Sequence, residues 1–299
     1  MVKLNFPRSS MASNRWRLAA ARAAAQASML LLLIGLATAA HAGVGNYANV
    51  NGLKLYYETY GNGRPLVLLH GGGSTIDSTF GQVLPQLARR HRVIAVESQA
   101  HGHTPDIDRP PSFEQDADDV AALLNLLHVR EADVIGFSNG GMIALQLAIR
   151  HQDRVGKLVL ISTPFKREGM VDGFWQGLEN AKFDSMPKQL KDAFLKANSD
   201  SDALRAMFNR DRTRMLGFKG FDESQIHAIT SPALVVNGDA DVVRTEHALA
   251  LARLLPKAHL AIIPGGHGEP IGEVMFRNPE GKAPALALPI IEQFLDESK

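Results

Sequence analysis

Five short apolar runs recur along the chain with no polar residue inside them: Leu66-Val67-Leu68-Leu69, Val93-Ile94-Ala95-Val96, Val134-Ile135, Leu158-Val159-Leu160-Ile161 and Leu234-Val235-Val236. A strand with one face in water alternates apolar and polar residues, so an unbroken run marks a strand covered on both faces. Helix-like segments lie between the runs, at 80–90, 113–127, 142–150 and 246–255. Strands alternating with helices imply an α/β fold, a mostly parallel central sheet with helices on both faces. Ahead of the first run, Leu53, Leu55, Tyr57 and Thr59 alternate with Lys54, Tyr56, Glu58 and Tyr60, the pattern of a strand with one wet face. The rhythm breaks from Pro164 to about Thr230, where amphipathic helical material rich in Phe and Met replaces any buried strand. This insertion reads as a helical cap whose soft side chains pack it onto the main domain or line an apolar pocket.

The first 42 residues stand apart. Lys3, Arg8, Arg15, Arg17 and Arg22 precede an uncharged stretch, 23–40, with Met29-Leu30-Leu31-Leu32-Leu33-Ile34 at its centre and Ala40-His41-Ala42 at its end. Small residues at the two positions a signal peptidase reads point to a signal peptide over 1–42, cleaved before Gly43. The competing reading is a retained anchor, since about 18 uncharged residues can just cross a bilayer. Cleavage removes five basic residues and no acidic one, taking the formal charge from +1 to −4. The remaining chain, 43–299, has no block of like charge to hold nucleic acid. The absence of cysteine excludes disulfides, thiolate zinc sites and a lipidated cysteine after the signal. The expectation is an exported protein, periplasmic or extracellular, with no stable membrane anchoring.

Gly136-Phe137-Ser138-Asn139-Gly140 joins the apolar run ending at Gly136 to the helical segment after it. A G-x-S-x-G pentapeptide between strand and helix is a sharp turn that lifts the serine hydroxyl out of the sheet. Alone it is a weak signal; its weight comes from two further motifs placed in order along the chain. Beyond the insertion, the run ending at Val236 leads into Asn237-Gly238-Asp239-Ala240-Asp241, and Leu260-Ala261-Ile262-Ile263 leads into Pro264-Gly265-Gly266-His267.

On these motifs the chain resembles the α/β-hydrolase family over nearly all of residues 45–299, as a serine esterase/lipase-like member with an inserted helical cap at about 164–230. The resemblance implies Ser138 as nucleophile, Asp241 as acid and His267 as general base, with Asp239 as the rival acid. It also implies an oxyanion hole formed by the backbone N–H groups of Asn139 and Gly72, the latter in the loop His70-Gly71-Gly72-Gly73. A serine hydroxyl is a poor nucleophile near neutral pH, so it needs an imidazole to take its proton and a carboxylate to orient that imidazole. His101-Gly102-His103-Thr104-Pro105-Asp106 suggests a metal site, but the spacing is H-x-H-x-x-D without a further histidine, and no metal is expected. No cofactor is expected either, because neither glycine-rich loop has the G-x-G-x-x-G spacing of a dinucleotide site.

The implied activity is a carboxylesterase cleaving small to medium apolar esters through an acyl-enzyme. A lactonase, a C–C bond hydrolase or a perhydrolase would use the same three residues, and selectivity would lie in the pocket. A non-catalytic binding protein on the same scaffold is the reading from another class. The expected partner is a small-molecule ester or related acyl compound.

Overall fold

The computed structural model describes residues 43–278 and 280–298, and the signal peptide expected over 1–42 lies outside them. Among the described residues eight strands form one sheet: β1 (Val44–Val50), β2 (Leu53–Tyr60), β3 (Arg64–Leu69), β4 (His91–Glu97), β5 (Ala132–Phe137), β6 (Val155–Ile161), β7 (Ala233–Gly238) and β8 (Ala258–Ile263). They lie in the order β1-β2-β4-β3-β5-β6-β7-β8. The pairs β1/β2 and β2/β4 are antiparallel, and every other pair is parallel.

The unbroken apolar runs are explained by two helical layers. Val67 and Leu69 of β3 face a core shared with α3 (Phe113–Leu126), α4 (Asn139–Arg150) and α9 (Thr245–Leu254). Leu66 and Leu68 face the opposite core, built with α1 (Ile76–Phe80), α2 (Leu84–Leu87) and α10 (Ala283–Asp296). Period-two alternation thus sends apolar side chains to both layers.

Two expectations are corrected, and one strand appears that was not expected. The helix expected at 80–90 shrinks to α2 at 84–87, while α1 ends at Phe80: Pro85 has no N–H to continue a hydrogen-bond ladder from the residues before it and lies in the first turn of α2. Tyr56, expected on a wet face, is buried: its ring stacks on His103 at 4.2 Å, and its hydroxyl donates to Glu58 Oε1 at 2.8 Å. The edge strand β1 has almost no apolar pattern and is held as a hairpin on β2. Its two-residue turn places Asn51 at φ 47° and Gly52 at φ 81°. Two positive φ angles in succession define the tight turn whose twist suits a hairpin.

Between β6 and β7 the chain forms four helices, α5 (Phe174–Asn180), α6 (Lys188–Ala197), α7 (Ser201–Gly217) and α8 (Glu223–His227). Met186, Leu190, Phe194, Leu204 and Met207 bury one another and Ala100 in a cluster separate from the two sheet cores. The insertion is stitched to the segment after β7. Val171 N–H donates to Val242 O, Arg244 N–H donates to Gly169 O, and Met170 bridges Val243. Among the described residues no helix is long and apolar enough to cross a membrane.

The first turn of the insertion also rests on α9. Phe165 N–H donates to His247 Nε2 at 3.1 Å, and the two rings stack at 4.1 Å. Burial lowers the His247 pKa to about 4, so the folded protein holds the ring neutral. The unfolded chain binds that proton near pH 6.5, so this contribution to stability is complete above about pH 6.5 and is lost as pH falls toward the folded value. His247→Gln, which keeps an acceptor and cannot titrate, is expected to flatten the fall in Tm between about pH 6.5 and 4. Thermal melts across that range check it; parallel curves for the two proteins would contradict the assignment.

Candidate active site

Ser138 sits where β5 turns into α4, with φ 52° and ψ −117°, a conformation that L side chains rarely adopt. Two hydrogen bonds hold it there: Ser138 N–H donates to Ile161 O at 2.9 Å, and Ser138 O accepts from Met142 N–H at 3.1 Å. The glycines around it are needed for space. A Cβ on Gly136 would strike the backbone of Gly140 and Gly141, and one on Gly140 would overlap the carbonyl oxygens of Leu69 and His70. The helix therefore approaches the sheet backbone to backbone, and the half-buried Ser138 projects above the strand ends.

His267 and Asp241 reach this hydroxyl from the loops after β8 and β7. His267 Nε2 lies 3.1 Å from Ser138 Oγ, and His267 Nδ1 lies 2.8 Å from Asp241 Oδ1. Phe137 and Phe276 flank the imidazole, with ring centroids 4.8 and 5.3 Å away. The Asp241 side chain is fully buried. Burial alone would raise its pKa, but the hydrogen bond and charge of His267, the Ser162 hydroxyl and the Val243 N–H outweigh burial and lower it. Asp241 is thus an anion facing the ring nitrogen that must carry a proton, so the opposite nitrogen is left to accept one from Ser138. The rival Asp239 is exposed and accepts from Gly265 N–H at 2.9 Å, fixing the turn that presents His267.

Ser162 joins the site without any signal in the sequence. It follows β6 with φ 52°, and its Oγ donates to Asp241 Oδ2 at 2.5 Å. Its local sequence, Ser162-Thr163-Pro164, has no motif that marks it.

The glycine loop after β3 lies against the turn. A Cβ on Gly71 would come within 2.7 Å of the Phe137 ring, and one on Gly72 would come within 2.5 Å of Asn139 Nδ2. His70 shapes the loop from beneath: its Nε2 accepts from Ser98 N–H at 3.1 Å, so its Nδ1–H donates to Gly71 O at 2.7 Å. Burial first, then the nearby His101, lowers the His70 pKa to about 3, which keeps this neutral tautomer. The Gly71 carbonyl is thereby held by His70 and by Ser74 N–H at 3.3 Å. Gly73 N–H donates to Asp211 Oδ2 at 2.6 Å, so it is also occupied.

His101 and His103 do not converge on a common point for a metal. His101 Nε2 pairs with Asp211 Oδ2 at 2.9 Å, and His103 Nδ1 pairs with Glu97 Oε2 at 2.9 Å. Glu97 also accepts from His103 N–H, which closes the turn after β4. Among the described residues no group of three or more potential ligands could hold a metal ion.

Residues 64–217 match a family model described as the alpha/beta hydrolase fold. The 2-hydroxymuconate semialdehyde hydrolase of Pseudomonas sp. strain CF600 is 30% identical over 240 residues, covering 71% of this chain and 82% of that protein. The pimeloyl-acyl-carrier-protein methyl ester esterase of Chromobacterium violaceum is 34% identical over 166 residues, covering 52% and 63%. Among solved structures, an enzyme that degrades N-acyl homoserine lactones superposes with a TM-score of 0.66 at 25% identity, covering 85% of this chain and 100% of that one.

The close approach at Gly140 gives a direct test. Gly140→Ala is expected to cost more than about 3 kcal/mol, since neither the β3 carbonyls nor the helix can retreat from the added methyl group. Gly177→Ala, in the exposed helix α5 with nothing within 4 Å of the new methyl, is expected to add about 0.5–1 kcal/mol. Urea unfolding of both variants measures the contrast, and equal effects would refute the packing account of the turn.

Proposed function

The chain belongs to the α/β-hydrolase fold family, and on that premise we propose that it is a serine carboxylesterase that cleaves small to medium apolar esters through an acyl-enzyme on Ser138. The observation that carries this reading is the unbroken relay from Ser138 Oγ through His267 to Asp241, with steps of 3.1 and 2.8 Å. In the first half-reaction His267 Nε2 takes the serine proton as Oγ attacks the acyl carbon, and Asp241 stabilises the imidazolium. His267 then protonates the departing alcohol. Water, activated by the same nitrogen, releases the acid in the second half-reaction.

The negative oxygen of the tetrahedral intermediate needs donors already in place, each worth about 3 kcal/mol of transition-state stabilisation. We assign Asn139 N–H and Gly72 N–H. The occupied Gly73 N–H supports Gly72 as the donor from this loop, because an amide already bonded to a carboxylate cannot serve an incoming oxyanion. Met186 and Leu190 of the cap approach Gly73 to within 3.6 and 3.4 Å of where a Cβ would stand, which supports an apolar acyl group beside this loop.

Lactone hydrolysis is the second reading, favoured by the structural likeness to the homoserine-lactone-degrading enzyme. It uses the same tetrahedral chemistry on a cyclic ester. We also propose export, supported by the basic, apolar and Ala-x-Ala pattern of residues 1–42. The exported protein is expected to begin at Gly43, and intact mass of protein recovered from outside the cytoplasm reads this directly.

A fluorophosphonate probe should add once to the wild type and not to Ser138→Ala, with the variant retaining the wild-type far-ultraviolet circular dichroism. Hydrolysis of p-nitrophenyl esters should disappear in the same variant. Rates across acyl chain lengths, N-acyl homoserine lactones and a 1,5-diketone then separate esterase, lactonase and C–C hydrolase. A folded wild type that takes no adduct would sink the enzymatic reading and favour a binding protein.

A further inference from the structure

The cap contributes one charged side chain to the loop that holds the proposed oxyanion donor. Asp211, in the middle of α7, accepts from Gly73 N–H at 2.6 Å through Oδ2. The same oxygen would lie 3.1 Å from a Cβ on Gly72, so the carboxylate packs directly on that residue. Asn139 of the nucleophile turn and Asp211 of the cap therefore both pack where a Gly72 side chain would stand. Gly73 has φ +70°, a left-handed backbone, and a glycine can reach other backbone states as readily.

Asp211 is itself fixed by two cations. His101 Nε2 lies 2.9 Å from Oδ2, and Arg214 Nη2 donates to Oδ1 at 2.6 Å. His101 Nδ1 lies 3.0 Å from the carbonyl of Gln99, so both ring nitrogens face acceptors and the ring carries both protons. Arg214 also pairs with Asp116 of α3, while Arg210 pairs with Asp106 and Arg109 with Asp119. Four cations and four carboxylates thus balance, and all sit between α7, α3 and the loop after β4. A lone structural ion pair between cap and body would not need to end on a backbone amide beside the nucleophile.

We propose that Asp211 is a positioning residue that couples the seating of the cap to the oxyanion hole: with the cap in place, its carboxylate orients the Gly72–Gly73 backbone so that Gly72 N–H points at the developing oxyanion. The inference rests on the reading of Ser138 and Gly72 given above. Displacement of α7 would remove the acceptor from Gly73 N–H and leave the loop free to turn, so full activity requires a closed cap. The residue touches neither substrate nor the reacting atoms; it acts through the loop.

The test compares wild type, Asp211→Ala, Asp211→Asn and Arg210→Met. Asp211→Asn keeps the shape of the side chain and one acceptor oxygen, so it reports even where Asp211→Ala does not fold. Arg210→Met removes a cap-to-body ion pair that does not reach the loop. Each protein is assayed with p-nitrophenyl butyrate per probe-titrated active site, and with a trifluoromethyl ketone that forms a tetrahedral adduct on the serine. The Gly73 amide proton is followed by NMR. In Asp211→Ala the amide proton should move upfield by more than about 1 ppm, kcat should fall by about 100-fold with KM within about threefold, and ketone affinity should fall by a similar factor. Asp211→Asn should lie between. Arg210→Met should lower Tm with kcat within about twofold and the Gly73 amide unmoved.

An unmoved Gly73 amide in the Asp211 variants overturns the proposal. So does a moved amide with unchanged kcat per site, because the contact would then exist without positioning anything. If the wild type takes no probe and cleaves no ester, the serine-hydrolase reading has failed, and the Gly73 amide alone then decides whether Asp211 holds the loop.

Discussion

Ser138 is held in a backbone conformation that costs on the order of 1–3 kcal/mol, and the geometry of the site depends on that strain. The turn survives because its amide and carbonyl are both bonded and because the glycines at 136 and 140 let helix and sheet meet without side chains between them. One strand over, Ser162 repeats the device. The register pairs Phe137 with Ile161, so both serines leave their strands at the same height, each with φ 52°. Ser138 N–H donates to the last residue of β6, and Ser162 N–H donates to Val236 of β7. One strained serine presents a hydroxyl to His267, and the other presents a hydroxyl to Asp241. Two ends of the relay are therefore set by adjacent strand termini of a single sheet.

Two buried carboxylates near the site have opposite surroundings. Asp241 is met by neutral donors and one imidazole, so in the proposed reaction its charge is available to answer a proton arriving on His267. Asp211 is met by Arg214 and a doubly protonated His101, and these, with the Gly73 amide, outweigh burial and drive its pKa down. Its charge is spent on structure. Breaking a buried pair of this kind costs about 3–5 kcal/mol, so the cap is anchored beside the loop by more than apolar contact.

Much of the frame is legible in the sequence because parallel strands buried on both faces leave unbroken apolar runs. Those runs place Ser138 before the insertion and Asp241 and His267 after it, each at a strand end, and the structure brings the three side chains together. The hairpin strand β1 is harder to see although its turn is written as Asn51-Gly52, because its own residues carry no period. Pro85 is equally visible, yet the apolar spacing on either side of it runs on as if one helix spanned 80–90. Ser162 and Asp211 are not legible at all. Each acts through a partner 79 or 138 residues away, and neither stands in a local pattern that distinguishes it from an ordinary strand-end serine or helix-surface aspartate.

The cap leaves the sheet after β6 and rejoins it at β7, and these strands are hydrogen-bonded neighbours. The two points of departure are therefore held together by the sheet whatever lies between them. Closing a longer excursion between fixed ends adds only about 0.6 kcal/mol for each doubling of its length. A lineage built on this scaffold can exchange or enlarge the segment between Phe165 and Ser231 as a module, changing what is admitted while the strand ends that carry the chemistry stay as they are. The contacts at Gly169, Val171, Arg210, Asp211 and Arg214 are among the places where such an exchange would have to be re-fitted.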